Sequence, residues 1–273
     1  MTFRNTLSTR LIAYLLLGIA AILVAIPLLF VVSSAFKDEV AIFAEPMKLI
    51  PTEPIGSNFE RLAENFPLYI FNSFKVTIII VVVQLLTATT GAYAFSKLHW
   101  RGREVLFLTY VASIMIPIQS VIIPQFTLVR NLGLYDSHLA LVLVSAFTAF
   151  GTFLVRQFFM TIPDSLLESA RIDGAGEWQI FWRIMLPLSK PVVATLVIFS
   201  FRWFWNDFFS PLIYITSREL KTLPLGMADF VTQYYTYYGA QMAAALISMV
   251  PVMVVFLAAQ RYFVQGIVTT GIK

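Results

Sequence analysis

The chain has no cysteine among its 273 residues, and charged side chains make up only 12% of it. Without cysteine, disulfides, thiolate metal sites and cysteine catalysis are excluded. The only two histidines, His99 and His138, fall on opposite sides of a membrane in the topology predicted below, which excludes a shared histidine metal site. No G-x-x-x-x-G-K-[ST] phosphate-binding loop and no G-x-S-x-G nucleophile motif occurs. These absences argue against a chain that binds ATP in the usual loop or hydrolyses a substrate.

Apolar residues dominate the composition, since 59% of the residues are hydrophobic. A helix needs about 20 apolar residues to cross a hydrocarbon core of ~30 Å, and lipid cannot satisfy an open backbone. The sequence therefore predicts an all-α polytopic membrane protein with six transmembrane helices. The predicted spans are 11–33, 72–95, 105–129, 139–159, 191–215 and 240–263.

Lysine and arginine are unevenly divided between the segments that connect these spans. Eleven lie on the side of the N-terminus and six on the other side, while Lys75 and Arg202 fall within spans. The positive-inside rule then predicts that both termini and the 160–190 loop are cytoplasmic. The apolar run after Arg10 is too long for a typical signal-peptide core, so it is predicted to be a retained membrane helix.

A polar, amphipathic segment separates the fourth and fifth predicted spans. Its pattern predicts a helix over 164–173 that starts at Pro163-Asp164-Ser165, a left-handed turn at Gly174 and a second short run over 177–185. Glu168 and Arg171 are spaced i,i+3 on the wetter side of the first helix.

The second run is predicted to present an apolar ridge formed by Trp178, Phe181 and Ile184, with Pro187 ending the run. Such a ridge suggests docking on another protein. An amphipathic helix lying on the bilayer surface is the alternative interpretation.

The spacing of this segment resembles the cytoplasmic coupling loop of permease subunits in binding-protein-dependent ABC importers. The matching pattern is Glu168-Ser169-Ala170, three residues, Gly174, nine residues, Ile184, one residue and Leu186-Pro187. WNDFFSPLIY (205–214), LKTLPLGMADF (220–230) and RYFVQGIVTTGIK (261–273) are similar to the maltose-type carbohydrate importers, in their second-permease subtype.

The resemblance implies a type I ABC importer permease fold with a cytoplasmic coupling helix. It implies an N-terminal helix and extracytoplasmic loop (1–71), a transmembrane core (72–265) that contains the 160–190 loop, and a cytoplasmic tail (266–273). In that family the loop seats in a cleft of the ATPase subunit. The coupling residues carried over are Glu168, Ser169, Ala170, Asp173, Gly174, Ala175, Phe181, Ile184, Leu186 and Pro187.

The resemblance also implies a sugar-importing assembly in the cell membrane. Its partners would be a homologous permease subunit, two cytoplasmic ATPase subunits and an extracytoplasmic solute-binding protein. The chain itself would be no enzyme and would hold no cofactor, because ATP and magnesium would bind to the ATPase subunits. No nucleic-acid partner is expected.

Polar residues within the fifth predicted span are the candidates for a translocation pathway. A charge at the centre of a membrane helix costs about 2.5–3.5 kcal/mol, so Arg202, Asn206 and Asp207 are expected to face a cavity or a partner. A structural link to a neighbouring helix is the alternative. Pro117 and Pro124 fall in the third predicted span, where they either accommodate packing or mark a helix that bends during gating.

Two other functions remain open from the sequence. One is an ABC importer for another solute, such as a polyamine or a phosphonate. The other is a stand-alone secondary transporter or channel, which would move its solute without an ATPase partner.

Overall fold

The computed structural model describes residues 7–232 and 234–270. Their contacts divide the chain into two compact units, one running to Pro67 and resuming over Met227–Val250, the other holding Leu68–Gly226 and the residues from Pro251. Within the described ranges the β structure is limited to one isolated bridge, Val231 with Thr236. The predicted division into 1–71, 72–265 and 266–273 stays a prediction, and residues 271–273 of the predicted tail lie outside the described residues.

The α-helices of the described residues are α1 (Leu7–Ser34), α2 (Glu39–Ala44), α3 (Ser57–Glu60), α4 (Phe66–Ser96), α5 (Arg103–Ala112), α6 (Ile118–Asn131), α7 (His138–Val144), α8 (Ala149–Met160), α9 (Asp164–Ile172), α10 (Glu177–Ile180), α11 (Leu186–Leu188), α12 (Lys190–Trp205), α13 (Phe209–Tyr214), α14 (Leu223–Met227) and α15 (Tyr238–Thr270). Short 3-10 segments occupy Ser113–Met115, Arg218–Leu220 and Ala228–Phe230, and a π-helical turn occupies Phe181–Met185.

Among the described residues, α1, α4 and α15 are single helices long and apolar enough to cross a membrane. Three further pairs of helices pass the same test only when taken together, and each pair is bent, by 102° (103–115 with α6), 48° (α7 with α8) and 77° (177–188 with α12), as in a broken span or a re-entrant loop. With each bent pair counted as one span, the total is the predicted six. The prediction of a continuous fifth helix over 191–215 is wrong, because α12 ends at Trp205 and α13 begins at Phe209.

The sharp bend before α6 has a local cause. Ile116 precedes a proline and takes an extended conformation, with φ −81° and ψ 115°, as the steric clash with the proline ring favours. Pro117 then caps α6 with φ −61° and ψ 134°, and it has no N–H to donate back to the preceding turn. Pro117 therefore marks the bend, whereas Pro124 lies inside α6.

The bend between α7 and α8 occurs at Ser145–Thr148 without a proline, and side chains of α4 satisfy the carbonyl groups that it frees. Gln84 Nε2 donates to Ser145 O at 2.8 Å, and Thr87 Oγ1 donates to Ala146 O at 2.8 Å. Thr148 Oγ1 accepts from Gly151 N at 3.0 Å, which caps the new helix. Such side-chain contacts let non-helical backbone persist at membrane depth.

In the first unit, the buried Asn58 side chain of α3 ties this helix to the turn that follows α1. Its Nδ2 donates to Ala35 O at 3.0 Å and to Lys37 O at 2.8 Å. The apolar window of α1 itself is unburied within the chain. In a membrane this leaves the helix facing lipid or a partner.

In the second unit, one apolar cluster joins the ends of four segments. It combines Ala88, Ala92 and Tyr93 of α4 with Val155 and Phe159 of α8, and further members come from the 160–190 loop and α12. The loop is therefore rooted in the helical core that its flanking spans share.

Candidate functional site

The first helix of the 160–190 loop starts where the sequence predicted, but its first acidic residue does not cap it. Pro163 precedes the helix without a side-chain cap, and Asp164 lies in the first turn. The Asp164 carboxylate accepts from Lys97 Nζ at 2.6 Å, and the same ammonium group donates to Ile162 O at 2.6 Å. This hydrogen bond and the positive charge of Lys97 lower the pKa of Asp164 below its ordinary value. The Lys97 side chain itself is buried.

The turn after α9 is a Schellman motif centred on Gly174, which has φ +85° as predicted. Ala175 N donates to Ala170 O at 2.9 Å, and Gly174 N donates to Arg171 O at 3.0 Å. Ala170 and Ala175 both pack against the apolar cluster of the second unit. The glycine therefore reverses the chain and returns it to the core.

The second run of the loop buries a different face from the one that the sequence suggested. Ile180, Phe181 and Met185 are at most 1% exposed, and Phe181 packs 5.5 Å from the Tyr93 ring. The prediction that Phe181 forms part of an exposed ridge is therefore wrong. Trp178, in contrast, is 68% exposed.

The apolar surface that the loop does expose lies on both sides of the Gly174 turn. Ile172, two residues before Gly174, is 85% exposed, and Trp178 follows four residues after the glycine. Sequence reasoning missed Ile172, although a signal was available. Leu167 faces the core, and Ile172, five positions later, lies about 140° around the helix axis from it. This angle places Ile172 on the exposed side of α9.

The coupling residues predicted from the resemblance fall into three groups by burial. The exposed group consists of Glu168, Ser169, Asp173, Gly174 and Pro187. The half-buried group consists of Ala170, Ala175, Ile184 and Leu186, and Phe181 alone is buried. The role of all of them in coupling stays a prediction.

Arg171 pairs across the turn rather than within its own helix. Its Nε donates to Glu177 Oε1 at 2.8 Å, whereas the i,i+3 spacing predicted Glu168 as its partner. The Arg171 hydrogen bond lowers the pKa of Glu177 below its ordinary value. Glu177 also accepts a hydrogen bond from the Tyr93 hydroxyl through Oε2.

The three candidate pathway residues lie at the break after α12. Arg202 and Asn206 are exposed, and Asn206 Nδ2 donates to Arg202 O at 2.8 Å. Asp207 is half-buried, and its Oδ1 accepts from Ser210 N at 3.1 Å, so it supports the start of α13. The two exposed side chains remain available to a pathway, while Asp207 also has a local structural contact.

The part of the chain that the structure describes brings no three potential metal-ligating carboxylate or imidazole groups together. The expectation that the chain holds no cofactor stays a prediction.

A family model for the binding-protein-dependent transport system inner membrane component matches residues 85–269. The chain belongs to this family. The match covers the bent spans, the 160–190 loop and most of α15, and it confirms the resemblance that the loop spacing carried. The fold is thus that of a type I ABC importer permease, and the chain is a membrane component of a transport system.

Full-length relatives agree with this family. The sn-glycerol-3-phosphate transport system permease protein UgpE of Yersinia enterocolitica is 33% identical, over 97% of this chain and 98% of its own length. The arabinooligosaccharides transport system permease protein AraQ of Halalkalibacterium halodurans is 32% identical, over 93% and 92%. A chain in the crystal structure of a bacterial ABC transporter involved in the import of the acidic polysaccharide alginate superposes with a TM-score of 0.83 at 27% identity, over 96% and 99% of the two chains.

Proposed function

We propose that this chain is one of two permease subunits in an ATP-driven importer for a sugar or an oligosaccharide. The names of two similar proteins, for arabinooligosaccharides and for alginate, support a carbohydrate substrate. The observation that carries the ATP-driven part is the loop geometry. Ile172 and Trp178 stand exposed on a turn whose base is fixed in the helical core.

The orientation that fits this function has both termini and the 160–190 loop in the cytoplasm. The excess of eleven basic residues over six supports it. The solute-binding protein then delivers substrate on the opposite side. ATP and magnesium bind to two ATPase subunits, and a homologous permease completes the pathway.

In this proposal one ATPase subunit grips α9 and the Gly174 turn of this chain, and the other grips the corresponding loop of the homologous permease. Exposed apolar side chains, Ile172 and Trp178, fill the cleft of the first subunit, and the carboxylates of Glu168 and Asp173 meet polar groups at the rim. When the two ATPase subunits close on ATP, the loops of the two permeases approach each other. The helices rooted in the same core follow as nearly rigid bodies, and the cavity switches from inward-facing to outward-facing.

Arg202 and Asn206 are proposed to line the pathway during this exchange. Their side chains are exposed at the break after α12, where hydrogen-bonding groups at membrane depth favour a polar solute over lipid.

The test is reconstitution of the complete assembly in proteoliposomes, with uptake measured for labelled oligosaccharides, glycerol 3-phosphate and a polyamine. The proposal expects ATP-dependent uptake of a carbohydrate and none when the ATPase subunits carry an inactivating change in their phosphate-binding loop. Uptake by this chain without the ATPase subunits would indicate a secondary transporter. ATP-driven uptake of the polyamine alone would assign another substrate class.

A further inference from the structure

Two side chains at the end of α4 hold the loop at both ends of α9. Tyr93 lies in the last turn of α4, and Lys97 directly follows the helix, with its N–H still donating to Tyr93 O at 2.9 Å. The i,i+4 spacing therefore places both side chains on the same side of the end of α4. Lys97 contacts the first residue of α9, Asp164. Tyr93 contacts Glu177, the partner of Arg171 in the last turn of α9.

The Lys97 contact fixes the start of α9. Its ammonium group donates to the Asp164 carboxylate and to Ile162 O, both at 2.6 Å. The Lys97 side chain is 4% exposed, whereas that of Asp164 is 70% exposed. A buried ammonium group with two oxygen partners is held in one position, because losing either would leave a charge poorly compensated in the interior.

The Tyr93 contact fixes the other end of α9 through the Gly174 turn. Glu177 accepts from the Tyr93 hydroxyl with one carboxylate oxygen and from Arg171 Nε with the other. The Tyr93 ring is itself buried, with Phe159 centred 6.5 Å and Phe181 centred 5.5 Å from it. The hydroxyl is thus a fixed point to which both arms of the turn are tied.

The separation of the two contacts along α9 matters for transmitting motion. A nine-residue helix is about 13 Å long at 1.5 Å per residue. A single contact would let α9 pivot when it is pushed. Contacts at both ends resist rotation as well as displacement, so α4 must follow the movement of α9.

We propose that Tyr93 and Lys97 are positioning residues that convert movement of α9 into movement of α4. The inference rests on the proposed function, in which an ATPase subunit grips α9. Neither residue is needed for that grip, because both lie on the core side of the loop. Their loss therefore lets the ATPase bind and hydrolyse ATP while less solute is moved per ATP.

The decisive variant is Tyr93→Phe, which removes the hydroxyl and keeps the packed ring. Because the lost hydroxyl donates to a charged carboxylate, which makes the hydrogen bond a strong one, we expect solute transported per ATP to fall about tenfold or more. Binding of the ATPase subunits and the rate of hydrolysis should stay within about twofold of wild type. Tyr110→Phe makes the same chemical change in α5, away from the loop, and should leave the ratio unchanged.

The lack of cysteine in the chain permits a chemical rescue at the second contact. Lys97→Cys removes the ammonium group, and reaction of its thiol with an aminoethyl methanethiosulfonate restores a cationic side chain of similar length. We expect the cationic reagent, and not the neutral methyl methanethiosulfonate, to restore solute transported per ATP. The wild-type assembly treated in the same way controls for thiols on the other subunits.

The outcomes separate this inference from the function on which it rests. If the wild-type assembly shows no ATP-dependent uptake, the proposed function is wrong. If wild type transports and Tyr93→Phe keeps the same ratio of solute to ATP, the positioning role is refuted and the proposed function stands. A parallel loss of ATPase binding and transport in Tyr93→Phe also refutes it, because the hydroxyl would then only support the docking surface.

Discussion

Replacing Gly174 by valine tests whether the left-handed turn is what shapes the docking surface. Gly174 has φ +85°, and no heavy atom lies within 4 Å of the position that a Cβ would take. A Cβ at this position therefore meets no neighbour, and the expected cost of the substitution is the strain of the backbone conformation. For a residue with a Cβ, the left-handed conformation costs about 1–2 kcal/mol. Valine, which is branched at Cβ, pays at least this cost.

The strain can be relieved only by giving up the turn. Relaxation to a negative φ breaks the hydrogen bonds from Gly174 N to Arg171 O and from Ala175 N to Ala170 O. A strain of about 1–2 kcal/mol shifts the balance between the native and relaxed turn by about 5- to 30-fold. Uptake should fall as the relaxed turn becomes populated, because Ile172 and Trp178 then lose their fixed spacing across the turn.

Gly176 provides a matched control two residues away. It is also exposed with open space around its Cβ position, but its φ of −74° and ψ of 162° suit any residue. Gly176→Val should therefore transport nearly as wild type does. Gly174→Asn should fall between wild type and Gly174→Val, because asparagine tolerates the left-handed region better than valine.

The assay is ATP-driven uptake into proteoliposomes, normalised to the amount of assembled permease, with ATPase binding measured on the same preparations. Equal uptake by Gly174→Val and Gly176→Val would refute the reasoning. It would show that the loop functions without the left-handed turn.

Three further predictions concern charge, pH and packing. Glu168→Lys should weaken ATPase association, measured by pull-down, while Glu168→Gln has a smaller effect; equal binding by both and wild type would place Glu168 outside the interface. Lys97 lowers the pKa of Asp164, so this contact stabilises the fold fully above the ordinary value of 3.8 and is lost as pH falls through the lowered pKa. The unfolding temperature of wild type should therefore fall more steeply below pH 3.8 than that of Asp164→Asn. Equal decreases in the two proteins would contradict this. Gly151→Ala brings Cβ to 2.5 Å from Thr148 Cγ2 and 2.9 Å from a Leu196 methyl group and should destabilise the purified protein by about 1–3 kcal/mol. Gly91→Ala makes ordinary contacts inside α4 and should be at least as stable as wild type; destabilisation of both variants alike would contradict this.

Features that depend on neighbouring residues could be predicted from the sequence. The start of α9 and the Gly174 turn follow from local chemistry, since proline favours the first turn and glycine the left-handed end of a helix. Pro117 likewise signals a break, because it restricts the residue before it and lacks an N–H. The six apolar segments also predicted a helical membrane protein, and six is the number of candidate spans when each bent pair is counted as one.

Features that depend on distant partners could not be predicted. The bend at Ser145–Thr148 has no proline, and it is supported by Gln84 and Thr87, about sixty residues earlier. The salt bridge between Lys97 and Asp164 likewise joins residues 67 positions apart. Nothing in the local sequence of either partner reveals such a contact.

The inward face of the second run of the loop was ambiguous for another reason. Apolar residues occur on more than one side of it, with Trp178 and Trp182 on one and Ile180, Phe181 and Met185 on another. Periodicity alone does not say which side is buried. The π-helical turn at 181–185 then inserts an extra residue into the helical repeat and displaces the faces that a regular α-helix would present.

The composition of the exposed surface bears on the choice between a protein partner and the bilayer. Ile172 and Trp178 are apolar enough to enter a membrane interface, but Asp173 lies beside Ile172, and Glu168 is exposed on the same helix. Cytoplasmic leaflets are negatively charged and repel carboxylates, so interfacial helices carry lysine and arginine on their polar face. The one arginine of α9, Arg171, is already paired with Glu177. A surface that combines exposed apolar side chains with free carboxylates favours a protein groove with basic groups at its rim, and substituting Glu168 and Asp173 by lysine should increase binding to anionic liposomes while it reduces binding to the ATPase.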